Sequence, residues 1–229
     1  VSPVRLAPFH ERLLHAVLPV FDRYGLVLAG GHAMRAHRFT DRPNADLDLA
    51  TTAEVPPVAE GVRAAFRAAG LRASVIEVTP RTGRLTVEDA GESCPVDLMR
   101  EVFRRPPVRC GIVPVPSVED TIGLTMRALH DRGHARDIID VASVAHLYAF
   151  RELEGLGRAH DDGFEPYELA SRLECAEFIG DDEFLAHGVD PRRIAEIRGF
   201  ARAWVEDIKL RRVDDGDADL DDPDLPDID

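Results

Sequence analysis

The sequence predicts an α/β (α+β) fold: a small mixed sheet flanked by helices, followed by a helical C-terminal part. Three observations point there. Short apolar runs of strand length, bounded by Gly, Pro and Asn, alternate with helical stripes through residues 1–116. From Ser117 onward the apolar spacing becomes helical. The chain has 229 residues, 45% of them hydrophobic, enough for one sizeable core or a catalytic unit with a helical annex.

Pro8 to Arg23 carries a helical stripe of Leu13, Leu14, Val17, Leu18 and Phe21, stopped by Gly25. Leu26 to Ala29 is a short buried strand ending at Gly30-Gly31, and residues 32–38 form a short helix. Arg42-Pro43-Asn44 is a turn. Asp46 to Ala50 alternates acid and apolar, as a strand with one polar face does. Val55 to Ala69 reads as a helix ending at Gly70. Strands follow at Ser74–Val78, Arg84–Val87, Pro95–Met99 and Ile112–Val115. Ser117 caps a helix running to about His130, with Asp120 at its third position. A second helix runs from near Ala135 to about Leu153, residues 155–163 form a loop, and further helices lie near 166–178 and 191–210. The expected organisation is a core over 1–116, a helical region over 117–213 and a disordered acidic tail over 214–229.

Charge and cysteine content narrow the class. The last sixteen residues hold nine aspartates and no basic residue, so the net charge of −14 falls to −5 for the rest. The folded body is only mildly acidic and leaves room for basic patches. Arginine dominates, and Lys209 is the single lysine. Cys94, Cys110 and Cys175 show neither zinc spacing nor a disulfide framework, which fits a cytoplasmic protein with reduced thiols. No stretch approaches the roughly 20 apolar residues of a membrane span, so no membrane partner is expected.

The chemistry concentrates in two stretches. In Asp46-Leu-Asp48 the acids sit two apart, so on a strand both point to one face. Two carboxylates there repel unless a cation lies between them, and hard ions such as Mg²⁺ take carboxylate and phosphate oxygens. Gly30-Gly31, between a strand and a helix, lets backbone N–H groups approach an anion. A Gly-Gly alone is commonly just a turn, and an Asp-x-Asp alone a solvated edge. The order strand, Gly-Gly, helix, strand, Asp-x-Asp is the informative feature, and it suits phosphoryl or nucleotidyl transfer.

The stretch Val27 to His37, then Asp41-Arg-Pro-Asn-Ala-Asp-Leu-Asp-Leu49, resembles the AbiEii/AbiGii toxin family, nucleotidyltransferases of the DNA polymerase β-like superfamily found in type IV toxin–antitoxin systems. Ser117-Val-Glu-Asp120 and Ala128-Leu to Arg136-Asp-Ile-Ile-Asp140 resemble its helical motif. The resemblance, from about Leu26 to Leu147, implies a nucleotidyltransferase fold with Gly30 and Gly31 facing phosphate. It implies Asp46 and Asp48 as metal ligands for Mg²⁺, and Asp97 as a third ligand or a base. It places Arg42 and Arg136 near the nucleotide, with Asp137 and Asp140 shaping the site from the helical side. An NTP substrate, an RNA or tRNA acceptor and a cognate antitoxin follow from the same likeness.

From residue spacing alone, Asp137 could instead belong to a helix start and Asp140 pair with Arg136 on the surface. Two positions depart from the family pattern. Asn44 stands where relatives carry Ser or Thr, and Thr125 where they carry Lys. Arg127, about 200° further round the helix, is expected to point away, leaving Arg132 or Arg136 to supply the charge. Alternatives are nucleotidylation of a small molecule or protein, or a nucleotide-binding chain without turnover.

Overall fold

The structure is a computed structural model and describes residues 6–214. The acidic tail expected beyond Asp214 lies outside the described residues. Helix α1 (Pro8–Tyr24) turns through Gly25 into β1 (Val27–Leu28), followed by α2 (Gly30–Ala36), β2 (Leu47–Thr51) and α3 (Val55–Ala68). Strands β3 (Arg72–Val78), β4 (Thr82–Asp89) and β5 (Glu92–Arg100) form a meander, and β6 (Val108–Cys110) pairs with β7 (Val113–Val115). The remaining elements are helical: α4 (Val118–Arg132), α5 (Ala135–Val144), α6 (Phe150–Arg158), α7 (Pro166–Glu174), a 3₁₀ turn at Cys175–Glu177, α8 (Asp181–Ala186) and α9 (Pro191–Asp214).

The main sheet has the order β1-β2-β5-β4-β3, with β2 and β5 parallel and the other pairs antiparallel. Strand alternation sorts its two faces. Leu47, Leu49, Leu85, Val87, Val96 and Leu98 point one way and pack with Leu13, Val17, Val58, Val62 and Phe66 of α1 and α3. The intervening Asp48, Arg84 and Asp97 are left on the opposite face, toward α4 and α5. Full burial of each aliphatic side chain contributes about 1.5–3 kcal/mol, so a slip of one residue in β2 would exchange Leu47 and Leu49 for the acids and is strongly disfavoured.

A second core lies among α4 to α9, around Trp204, Phe184, Ile122 and Ile138, and it includes Met34 from α2. Trp204 stacks on Phe150 and donates from Nε1 to the buried Glu154. The carboxylate of Glu154 is answered by Arg211.

The helical part differs from the sequence expectation in its breaks. The helix expected over 135–153 is two, interrupted at residues 145–149 without proline or glycine. Glu152 accepts from the Ala149 N–H and so restarts the chain as α6. Residues 155–158, expected in a loop, belong to that helix. The short β6 and α8 were also not anticipated. Ser117 does cap α4, its side chain accepting from the Asp120 N–H at 3.0 Å.

Candidate active site

The site is built on the polar face of the sheet, roofed by α4 and α5. Strands β2 and β5 run in parallel register with Asp48 beside Asp97. Asp46 sits one residue ahead of β2, and the carboxylate oxygens of Asp46, Asp48 and Asp97 come within 4.8 Å of one another. Burial, then the neighbouring Asp46 and Asp97, push the Asp48 carboxyl up from 3.8 to about 7. Three crowded acids of this kind fit a hard divalent cation, whose oxygen ligands they would supply.

Arg84, opposite Asp97 across β4, clamps it with two 2.7 Å bonds from Nε and Nη2. Sequence reading missed this residue, although a signal existed. A two-residue turn at Ala90-Gly91 sets Asp89 opposite Glu92, and counting back puts Arg84 opposite Asp97.

The glycine pair has a steric reason beyond the turn. Gly30 has φ +56°, and a Cβ there would lie 1.9 Å from the Asp48 Oδ2. A Cβ on Gly31 would lie 2.0 Å from the Asn44 Oδ1 and 2.6 Å from Arg42 Nη2. Gly30→Ala therefore combines a left-handed backbone with a direct collision at the carboxylate. We expect it to lower transfer activity by more than about 100-fold, since loss of mere outer-shell support costs 10–100-fold. Steady-state rates alongside a circular dichroism melt will check this. A folded Gly30→Ala protein with wild-type rates would refute it.

The remaining expected site residues all reach the cleft, though several are engaged with each other. Arg42 donates to Asp140 at 2.7 and 2.6 Å, with both side chains over 90% buried, and to the Asn44 Oδ1 at 2.6 Å. Asp140 thus pairs with Arg42 across the two halves of the chain, not with Arg136. Burial raises the Asp140 carboxyl, and Arg42 opposes that rise. Asp137 takes Nε and Nη2 of Arg132 at 2.9 and 2.8 Å and accepts from the His134 N–H, closing a capping box at the start of α5. Arg136 reaches over to Asp46 at 3.3 Å.

The cation question raised by Thr125 has a structural answer. Thr125 lines the cleft and donates its hydroxyl to the Thr121 carbonyl at 2.8 Å. Arg132 and Arg136 line the same cleft. Arg127, expected to point away, also lines it, held by Glu101 at the rim. The long guanidinium spans what the backbone angle separates. Lys209 is elsewhere, on α9, paired with Glu174 at the end of α7. Thr125→Lys would add a fourth cation to this wall. We expect it to tighten NTP binding by about tenfold, the scale of one charge-assisted hydrogen bond. Calorimetric titration will measure it, and unchanged or weaker binding would show that the arginines already saturate the phosphates.

Carboxylates gathered on a mixed sheet, beneath a helical wall that carries arginines, define a nucleotidyltransferase. The sequence model of the family described as "Nucleotidyl transferase AbiEii toxin, Type IV TA system" matches residues 12–215. The chain belongs to that family. Among solved structures it is similar to a Helicobacter pylori protein provisionally described as a nucleotidyltransferase (TM-score 0.57, 15% identity, covering 89% of this chain and 96% of that one). It is also similar to JHP933 from Helicobacter pylori (TM-score 0.55, 16% identity, covering 93% and 99%). At such identities the likeness shows the fold. No curated protein matches. Among the described residues, no helix is long and apolar enough to cross a membrane.

Proposed function

We propose that the protein transfers a nucleoside monophosphate from an NTP to an acceptor hydroxyl, with RNA, such as a tRNA end, as acceptor. The observation that carries this reading is the triad of Asp46, Asp48 and Asp97, brought within ligand reach of one another beside a cationic wall. The acceptor oxygen forms a bond to the α-phosphorus while the bond from that phosphorus to the β-phosphate oxygen breaks, releasing pyrophosphate. Asp46, Asp48 and Asp97 would hold Mg²⁺, which when bound supplies charge neutralisation on both the attacking and leaving oxygens. Asp97 is also placed to take the acceptor proton, provided that the Arg84 clamp shares it.

Arg132 and Arg136 would orient the triphosphate, and Gly30-Gly31 would let the backbone approach it. Arg42 and Asp140 would keep the Gly31–Asn44 segment fixed against α5. A toxin role with a cognate antitoxin in the cytoplasm follows from the family and belongs to this reading.

The test is a panel of radiolabelled NTPs with Mg²⁺, offered to total RNA, to protein and to small hydroxyl compounds. We expect label in RNA, lost in Asp46→Ala and Asp48→Ala. Label in protein or a small molecule instead would reassign the acceptor. Label in RNA that survives both substitutions would remove the proposed metal site.

A further inference from the structure

Beside the triad cleft, and sharing Glu101 and Arg127 with it, lies a second cleft between the β5 end of the sheet and α6. Four arginines line it: Arg81, Arg100, Arg104 and Arg127. Against them stand the carboxylates of Glu101 and Asp162, and Glu101 is spent on Arg127. Elsewhere on this acidic chain arginines are commonly matched to acids, as Arg12, Arg84, Arg132 and Arg211 are. Among the described residues Arg81, Arg100 and Arg104 have no carboxylate partner, although all three are exposed. Three unmatched cations in one concavity of a chain with net charge −14 call for an anion from outside.

The arginines are held in place. Arg100 donates its backbone N–H to the Arg81 carbonyl at 2.8 Å, which sets the two residues side by side. Its side chain donates from Nε to the Thr52 carbonyl, and Arg104 donates from Nε to the Ala159 carbonyl at 2.7 Å. Those bonds orient each guanidinium and leave its terminal N–H groups to face a ligand. Asp120 fixes the loop beneath, accepting from the backbone N–H groups of Arg104 and Arg105 and from His160. Glu101 lies four residues beyond Asp97 on the same chain, roughly 13 Å at strand rise. An anion in this cleft therefore sits well away from the reacting phosphorus.

We infer that this cleft binds backbone phosphates of the acceptor strand, upstream of the hydroxyl presented to the triad. The inference rests on the proposed transfer reaction and assigns its acceptor to the polynucleotides, because a small hydroxyl compound would carry nothing to fill the cleft. Arg81, Arg100 and Arg104 are then positioning residues: they hold the strand and leave the chemical step alone.

The experiment is equilibrium binding of a fluorescent single-stranded RNA across a salt series, without NTP. The proteins are the full chain, Arg81→Glu, and Arg81→Ser/Arg100→Ser/Arg104→Ser. Each lost phosphate contact should lower the slope of log affinity against log salt by about 0.7, so the triple variant should lose about 2. Arg81 makes no side-chain contact that folding needs, so Arg81→Glu remains informative if the triple variant unfolds, and it should weaken RNA binding at least tenfold. In turnover assays the variants should raise KM for long RNA, leave kcat unchanged, and leave affinity for Mg²⁺·NTP unchanged. Wild-type affinity and slope in Arg81→Glu and in a folded triple variant would overturn the inference, as would a full chain that does not bind RNA. In that last case the transfer reading is judged separately, by whether label still passes to another acceptor.

Discussion

Asp48→Asn is expected to act in two opposite directions: it should abolish transfer and should stabilise the metal-free protein at alkaline pH. The first effect follows from position. Asp48 is at the centre of the triad, between Asp46 ahead of it and Asp97 on the neighbouring strand. Losing it should cost more than the 10–100-fold that outer-shell support is worth. The second effect follows from its raised pKa of about 7 against 3.8 in an unconstrained chain. Between those values the folded protein holds a proton that the unfolded chain has released. Stability from this group is therefore present at low pH and declines as pH rises from 3.8 to about 7. Above that, the folded state carries the repulsion of three acids. Asparagine removes the slope.

In EDTA, thermal melts of Asp48→Asn should exceed wild type at pH 8, and the gap should close as pH falls to about 4, near the unfolded value. Added Mg²⁺ should raise the wild-type melting temperature and move the variant less. Identical ranking at both pH values, with equal response to Mg²⁺, would mean that the three carboxylates neither repel nor share a cation.

The largest stability effect is expected at Arg42. Its bond pair to Asp140 joins the segment before β2 to α5, with both side chains more than 90% buried. Removing one partner of a buried ion pair strands the other charge and costs about 3–5 kcal/mol, whereas replacing both by apolar groups is often neutral. Arg42→Met should therefore lower unfolding free energy by about 3–5 kcal/mol in urea titrations. Arg42→Met/Asp140→Leu should recover most of that loss. If Arg42→Met instead unfolds like wild type but loses NTP affinity, Arg42 serves the nucleotide and not the junction between the two halves.

The two variants also separate the site's own chemistry from the frame that holds it. Asp46, Asp48, Asp97 and Arg84 form a charged row on one sheet face, while Arg42–Asp140 ties the segment before β2 to α5 and Arg132–Asp137 ties the end of α4 to α5. A residue in the first group can be changed with the fold intact. A residue in the second cannot be changed singly without leaving a charge unanswered.

The sequence by itself determined the order of the elements up to β5, because alternation and turn residues are local signals. It also determined that Asp46 and Asp48 share a face, and that a glycine pair precedes them, since strand periodicity fixes facing without reference to any partner. The family followed from the same local stretches. The break between α5 and α6 was not legible, because neither proline nor glycine marks it and Ala149 is a poor cap; Glu152 and the packing of Phe150 on Trp204 set it. Tertiary structure alone decided who pairs with whom. The parallel β2–β5 register brings Asp97, 49 residues on from Asp48, beside it, and the placement of α5 across the cleft gives Asp140 to Arg42 and Arg136 to Asp46. It also gathered three unmatched arginines into one cleft. Charges distant in the chain meet only through packing, so their partners, and the purpose of those left without one, lie outside what spacing along the sequence can specify.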